Sequence, residues 1–183
     1  MSEPALNTPG APDAFDLLGL SPAFDLDSEA LRRAWLARSS AAHPDHAGGA
    51  LDPSALERAS AALNDARRTL EDPERRASTL LRRLGGPGEK DDKSLPPELL
   101  MEYMEQREIL DEAKAGRDPA AIEASRAWAR ARRLGHIDAC SRMFAEALAD
   151  PNPNPETLRA IRVELNAWRY AERMLEQIDD VHP

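Results

Sequence analysis

Apolar residues recur along this chain at spacings of three, four and seven, and no segment alternates apolar and polar positions as a half-buried strand would. The pattern therefore predicts helices throughout. Residues 13–20 read as one or two apolar turns ended by Gly19. Asp27, as an N-cap with Glu29 in the first turn, opens a second helix with Leu31, Ala34 and Trp35 on its buried side. That helix must stop at His43-Pro44, because proline fixes its own φ, has no N–H to donate and drives the preceding residue out of the α region. The third helix opens within residues 52–57, with either Pro53 at its first position after Asp52 or Ser54 and Glu57 as a capping box. Its Leu56, Leu63 and Leu70, with Ala59, Ser60 and Ala66 between, make one narrow stripe. Asp72-Pro73 caps a fourth helix over 74–84, which Gly85-Gly86-Pro87-Gly88 ends.

Residues 85–94 are rich in glycine and charge and have the composition of a linker. Three longer helices follow, over 97–114, 119–149 and 155–180, and their short connections predict an antiparallel three-helix bundle with a bend at Gly135. On the first of the three, Leu99, Tyr103, Gln106, Ile109, Leu110 and Ala113 gather on one side as a core stripe, whereas Leu100, Met101 and Met104 fall on another. A second apolar stripe must meet another element or stay exposed as a partner surface, a role for which methionine is well suited. On the last helix Leu158, Ile161, Leu165 and Trp168 form the core stripe and Tyr170 points away from it. Residues 1–12, with three prolines, are expected to be a disordered tail.

Composition agrees with an all-α fold: of 183 residues 31% are charged and 4% aromatic. No apolar run approaches a membrane span and the first residues lack a secretory pattern, so a cytoplasmic protein without a membrane partner is expected. The single cysteine, Cys140, excludes an internal disulfide and reads as a small core residue. A net charge of −9 argues against nucleic acid as partner. Residues 85–183 hold twenty acidic and fourteen basic residues against twelve and ten in 13–84, so a basic partner would meet the second half. Arg126, Arg130, Arg132 and Arg133 are then best read as a salt-bridged face. His43 and Asp45 flank a proline that keeps them from orienting each other, and no nucleophile motif accompanies them, so no catalytic role follows. His43 and His46 lack the further ligands a metal would need, and no cofactor is expected.

The order of these features resembles one family. Asp13-x-Phe15-x-Leu17-Leu18-Gly19-Leu20, then Phe24-x-Leu26-Asp27, His43-Pro44-Asp45 and Asn64-x-Ala66-x-x-x-Leu70-x-Asp72-Pro73-x-Arg75-Arg76-Ala77-x-x-Leu80-Leu81 resemble the HscB-type J-protein co-chaperones of iron–sulfur cluster assembly. So does Leu100-Met101-Glu102-x-Met104-Glu105-x-Arg107-Glu108-x-Leu110-Asp111-Glu112. The likeness covers most of 13–112 and is weaker beyond. It implies an L-shaped all-α protein: a J-domain over 13–84, built on a helical hairpin with the His-Pro-Asp loop, a linker over 85–94, and a C-terminal three-helix domain over 95–183. It implies no catalysis by the chain itself. His43, Pro44 and Asp45, with Arg32, Arg33 and Arg38, would engage an HscA- or DnaK-type chaperone and stimulate its ATPase. Leu100, Met101, Met104, Glu105, Glu108 and Tyr170 would bind an IscU-type scaffold protein. Two departures stand out: His46 occupies the place of a usual lysine, and the second helix carries only three arginines. A J-protein serving another client, or a non-catalytic helical adaptor, are the competing readings.

Overall fold

The computed structural model describes residues 12–41 and 53–180, and every regular element among them is a helix. The His43-Pro44-Asp45 turn, His46, Asp52 and the tail up to residue 11 lie outside the described residues. The chain divides between Leu80 and Leu81 into two compact units.

The first unit holds α1 (Ala14–Leu18), α2 (Ser28–Ala41), α3 (Pro53–Glu71) and most of α4 (Pro73–Arg83). Asp13 opens α1 with a reciprocal capping box: its carboxylate accepts from the Phe15 and Asp16 amides while the Asp16 carboxylate accepts from the Asp13 amide. Gly19 ends the helix in the left-handed region at φ 68°, a conformation that favours glycine, and the tip of the Arg38 side chain lies over it. Asp27 caps α2 by accepting the Glu29 amide at 3.0 Å. Phe15, Leu18, Phe24, Leu31, Leu63, Ala66, Leu70, Ala77 and Leu80 are buried.

Of the two starts the pattern allowed for the third helix, the structure takes the one with Pro53 at the first position, and Ser54 inside the helix accepts from Arg58 at 3.1 Å. Two details differ from the pattern reading. Ala59 and Ser60 are exposed, on a flank of the helix that no described residue covers, whereas Ala66, two turns further on, is buried. Ala34 and Trp35 are only half-buried, and Trp35 is held by its indole N–H donating to Asn64 at 3.0 Å and by the Arg67 guanidinium 4.5 Å above its ring. At the turn into α4, Asp72 accepts the Glu74 and Arg75 amides. Arg76 there lies over Phe24 and donates to the Leu70 carbonyl; burial lowers its pKa, against the raising influence of Asp25 and Asp72.

The second unit is built on α5 (Pro97–Ala115), α6 (Pro119–Ala149) and α7 (Pro155–Asp179). Each begins with proline in its first turn; Asp118 and Asn154 cap α6 and α7. Arg126 pairs with Asp179, Arg133 with Glu172 and His136 with Glu164, so α6 and α7 run antiparallel. Tyr103 meets Tyr170 and Lys114 donates to the Gln177 carbonyl at 2.8 Å, so α5 runs parallel to α7. The α6 helix continues through Gly135, where the sequence suggested a bend. All four leucine, isoleucine and tryptophan positions of the predicted α7 stripe are buried.

The glycine-rich segment before α5 is tied down within this unit. The Asn166 side-chain amide on α7 donates to the carbonyls of Asp92 at 3.2 Å and Ser94 at 2.9 Å. Gly86 approaches the bundle so closely that a Cβ would lie 2.3 Å from Leu81 Cδ1 and 3.2 Å from Leu158 Cβ. Flexible composition thus becomes an ordered strap once a polar side chain supplies partners for its backbone.

Candidate functional site

The N-terminal half of α5 departs from ordinary burial. Leu100, Met101 and Met104 are 36%, 61% and 63% exposed. Successive residues turn by about 100°, which sets these three on one arc with Glu105 and Glu108, both exposed. An apolar patch edged by carboxylates is a composition that partner surfaces commonly share. Ile109, expected in the core stripe, is 46% exposed. Its position lies at the edge of the buried side, where α6 and α7 do not reach; Tyr103, Leu110 and Ala113 alone on α5 are buried.

Tyr170 on α7 is half-buried, with its ring 5.6 Å from that of Tyr103 and tilted by 41°. Tyr103 is the inner member of an aromatic group: the Trp128 ring meets it edge-on at 5.3 Å and 81°. Its hydroxyl lies 2.9 Å from His136 Nε2, and His136 Nδ1 lies 2.7 Å from a Glu164 carboxylate oxygen. A carboxylate only accepts, so Nδ1–H donates to Glu164, which in the neutral imidazole leaves Nε2 to accept from the Tyr103 hydroxyl. Burial, with the Glu164 charge adding to it, pushes the Tyr103 phenol well above its usual range. These residues lie 33 and 28 positions apart in sequence. No periodicity could have joined them, and nothing in the sequence pattern singled out His136.

Of the residues expected to meet a chaperone, Arg32, Arg33 and Arg38 lie exposed on α2. Arg32 is 3.7 Å from Glu29 and Arg33 3.8 Å from Asp27, both loose surface pairs. Arg38 sits over Gly19 at the end of α1. The basic group on α6 is paired with acids: Arg126 with Glu123 and Asp179, Arg130 with Glu123, Arg132 with Glu102 and Arg133 with Glu172. This is the salt-bridged face the charge pattern suggested. Among the described residues no group of three or more His, Cys, Asp or Glu side chains is arranged to hold a metal ion, and no helix is long and apolar enough to cross a membrane.

Comparisons with known proteins point to one family. Residues 95–179 match the domain described as HSCB C-terminal oligomerisation domain. The co-chaperone protein HscB homolog of Bordetella petrii is 32% identical over 179 residues, which cover 94% of this chain and 98% of that protein. The HscB homolog of Neisseria meningitidis serogroup C is 38% identical over 107 residues, covering 57% of this chain and 64% of the relative. Among solved structures, chaperone HscB from Vibrio cholerae superposes with a TM-score of 0.71 at 27% identity, covering 92% of this chain and 96% of that one. Human co-chaperone protein HscB shares the fold, with a TM-score of 0.72 at 24% identity over 94% of this chain and 83% of that one. Its all-helical architecture is accordingly that of a J-domain followed by a C-terminal helical bundle, and the chain belongs to the HscB family, the J-protein co-chaperones of iron–sulfur cluster assembly.

Proposed function

We propose that this co-chaperone binds an IscU-type iron–sulfur scaffold protein through α5, delivers it to an HscA- or DnaK-type chaperone and stimulates that chaperone's ATPase, without catalysing a reaction of its own. The observation that carries the reading is the exposed Leu100, Met101 and Met104 patch edged by Glu105 and Glu108, with Tyr170 joined to it through Tyr103. Burying three large apolar side chains on a partner would stabilise a complex by several kcal/mol at roughly 25 cal/mol for each Å² removed from water. The carboxylates would fix its orientation against a basic rim. His43, Pro44 and Asp45, flanked by Arg32, Arg33 and Arg38, are the chaperone contact in this reading, and residues 13–84 and 95–183 are its two working domains, in the cytoplasm. Membership of the family supports both assignments.

The test is calorimetric titration of an IscU-type scaffold into the full chain, together with the steady-state ATPase of an HscA- or DnaK-type chaperone. Saturable scaffold binding and a rise in ATPase that needs His43 are expected. His43→Gln should abolish the stimulation and leave scaffold affinity unchanged. A protein that neither binds scaffold nor stimulates the ATPase would defeat the reading.

A further inference from the structure

The patch-bearing half of α5 is held to its bundle by very little. Leu110 and Ala113 bury the other half; Leu110 belongs to a core cluster with Ala129, Met174 and Ile178. Lys114 fastens the same end to the Gln177 carbonyl. Toward the N-terminus of α5 the one buried side chain is Tyr103, supported by half-buried Leu99 and Gln106 and by the Glu102–Arg132 pair. Leu100 lies one turn before Tyr103 on the neighbouring face, Met104 is the next residue along the chain, and Tyr170 rests against the Tyr103 ring.

Accepting the scaffold-binding reading, we infer that Tyr103 is a positioning residue for that surface, locked by the chain Tyr103 hydroxyl to His136 to Glu164, which ties α5 to α6 and α7 behind the patch. A ring alone would fill the same space but could slide or rotate against its neighbours. A buried hydroxyl with one fixed partner cannot do so without leaving both polar groups unsatisfied. The lock therefore sets the orientation of Leu100 and Met104 and the seat of the Tyr170 ring before any partner arrives, so that ordering this half-helix is not charged against the affinity. The surface residues supply the contact and the three inner residues hold it in place.

The test compares the full-length protein with its Tyr103→Phe, His136→Leu and His136→Gln variants by amide hydrogen exchange and by calorimetric titration with an IscU-type scaffold. Phenylalanine keeps the ring and removes the hydroxyl. Glutamine can donate an amide N–H to Glu164 and offer its oxygen to Tyr103, whereas leucine can do neither. Tyr103→Phe and His136→Leu should each speed exchange over residues 101–107 about tenfold and weaken scaffold binding about tenfold, the usual consequence of one buried hydrogen bond lost. Exchange over 111–115 and the C-terminal half of α7 should stay unchanged, and His136→Gln should restore both readouts to near wild type. Unchanged exchange over 101–107, or acceleration spread evenly over the bundle, would overturn the inference, as would wild-type affinity in both disruptive variants. A wild-type chain that fails to bind scaffold would defeat the functional reading instead, and the exchange data would still decide whether the lock exists.

Discussion

Cys140 illustrates how tightly a single position can be specified. It is fully enclosed within α6, and burial, with the Glu164 charge adding to it and Arg162 opposing, pushes its thiol from 9.0 up to about 12. The group is therefore inert at neutral pH, and its effect on folding is confined to alkali. Below pH 9 the thiol is protonated in both folded and unfolded chains and contributes no pH dependence. Above it the unfolded chain ionises while the folded one does not, so stability falls by roughly 1.4 kcal/mol for each pH unit until the folded pKa is reached. Urea denaturation between pH 8 and 11 should show this decline, and Cys140→Ala should flatten part of it while losing some stability at every pH to the cavity it leaves. Gly86 is a second such position. Gly86→Ala would press a methyl into Leu81 and Leu158, and a loss of about 1 to 3 kcal/mol is expected from the same denaturation measurement.

At the scale of elements, α5 buries Tyr103, Leu110 and Ala113 on one side and exposes Leu100, Met101 and Met104 on another, which in the proposed function meets the scaffold. Replacing Leu100, Met104 and Tyr170 together by alanine should remove most scaffold affinity, at roughly 1 kcal/mol or more for each anchor. Leu100 and Met104 are open to solvent, so their share of the stability loss should be small; half-buried Tyr170 should account for what loss there is, through its contact with Tyr103. Titration calorimetry and thermal melts of the same protein check both statements. A melting temperature lowered as far as three fully buried truncations would lower it, at about 2 to 5 kcal/mol apiece, would show that the patch is core. Ile109→Ala offers a control on the same helix: exposed but off the patch, it should leave affinity unchanged.

At the scale of the whole molecule, the two units carry separable tasks in the proposed function, so a change confined to one should leave the other's task intact. Arg32→Glu with Arg33→Glu reverses charge on α2, whose native partners are only loosely paired surface acids. Chaperone affinity should fall at low salt, the wild-type contact should itself weaken as salt rises, and scaffold affinity should not change. Equal chaperone affinity for both proteins at low salt would make these arginines a solvated face. What the sequence by itself determined is local: the helices of the described residues close to their observed ends, the Asp27 and Asp72 caps and the Gly19 stop, the α7 core stripe, and the separation of Leu100, Met101 and Met104 from the buried side of α5. Proline, glycine, capping acids and a 3.6-residue period act within a few residues, so they can be read without knowing what lies opposite. Tertiary structure alone decided that Ile109, Ala59 and Ser60 go uncovered, that Asn166 straps down the glycine-rich segment, and that Tyr103, His136 and Glu164 meet. Each of these depends on which neighbouring helix, dozens of residues away, happens to face the position, and burial and hydrogen bonding between helices leave no period in the sequence of either one.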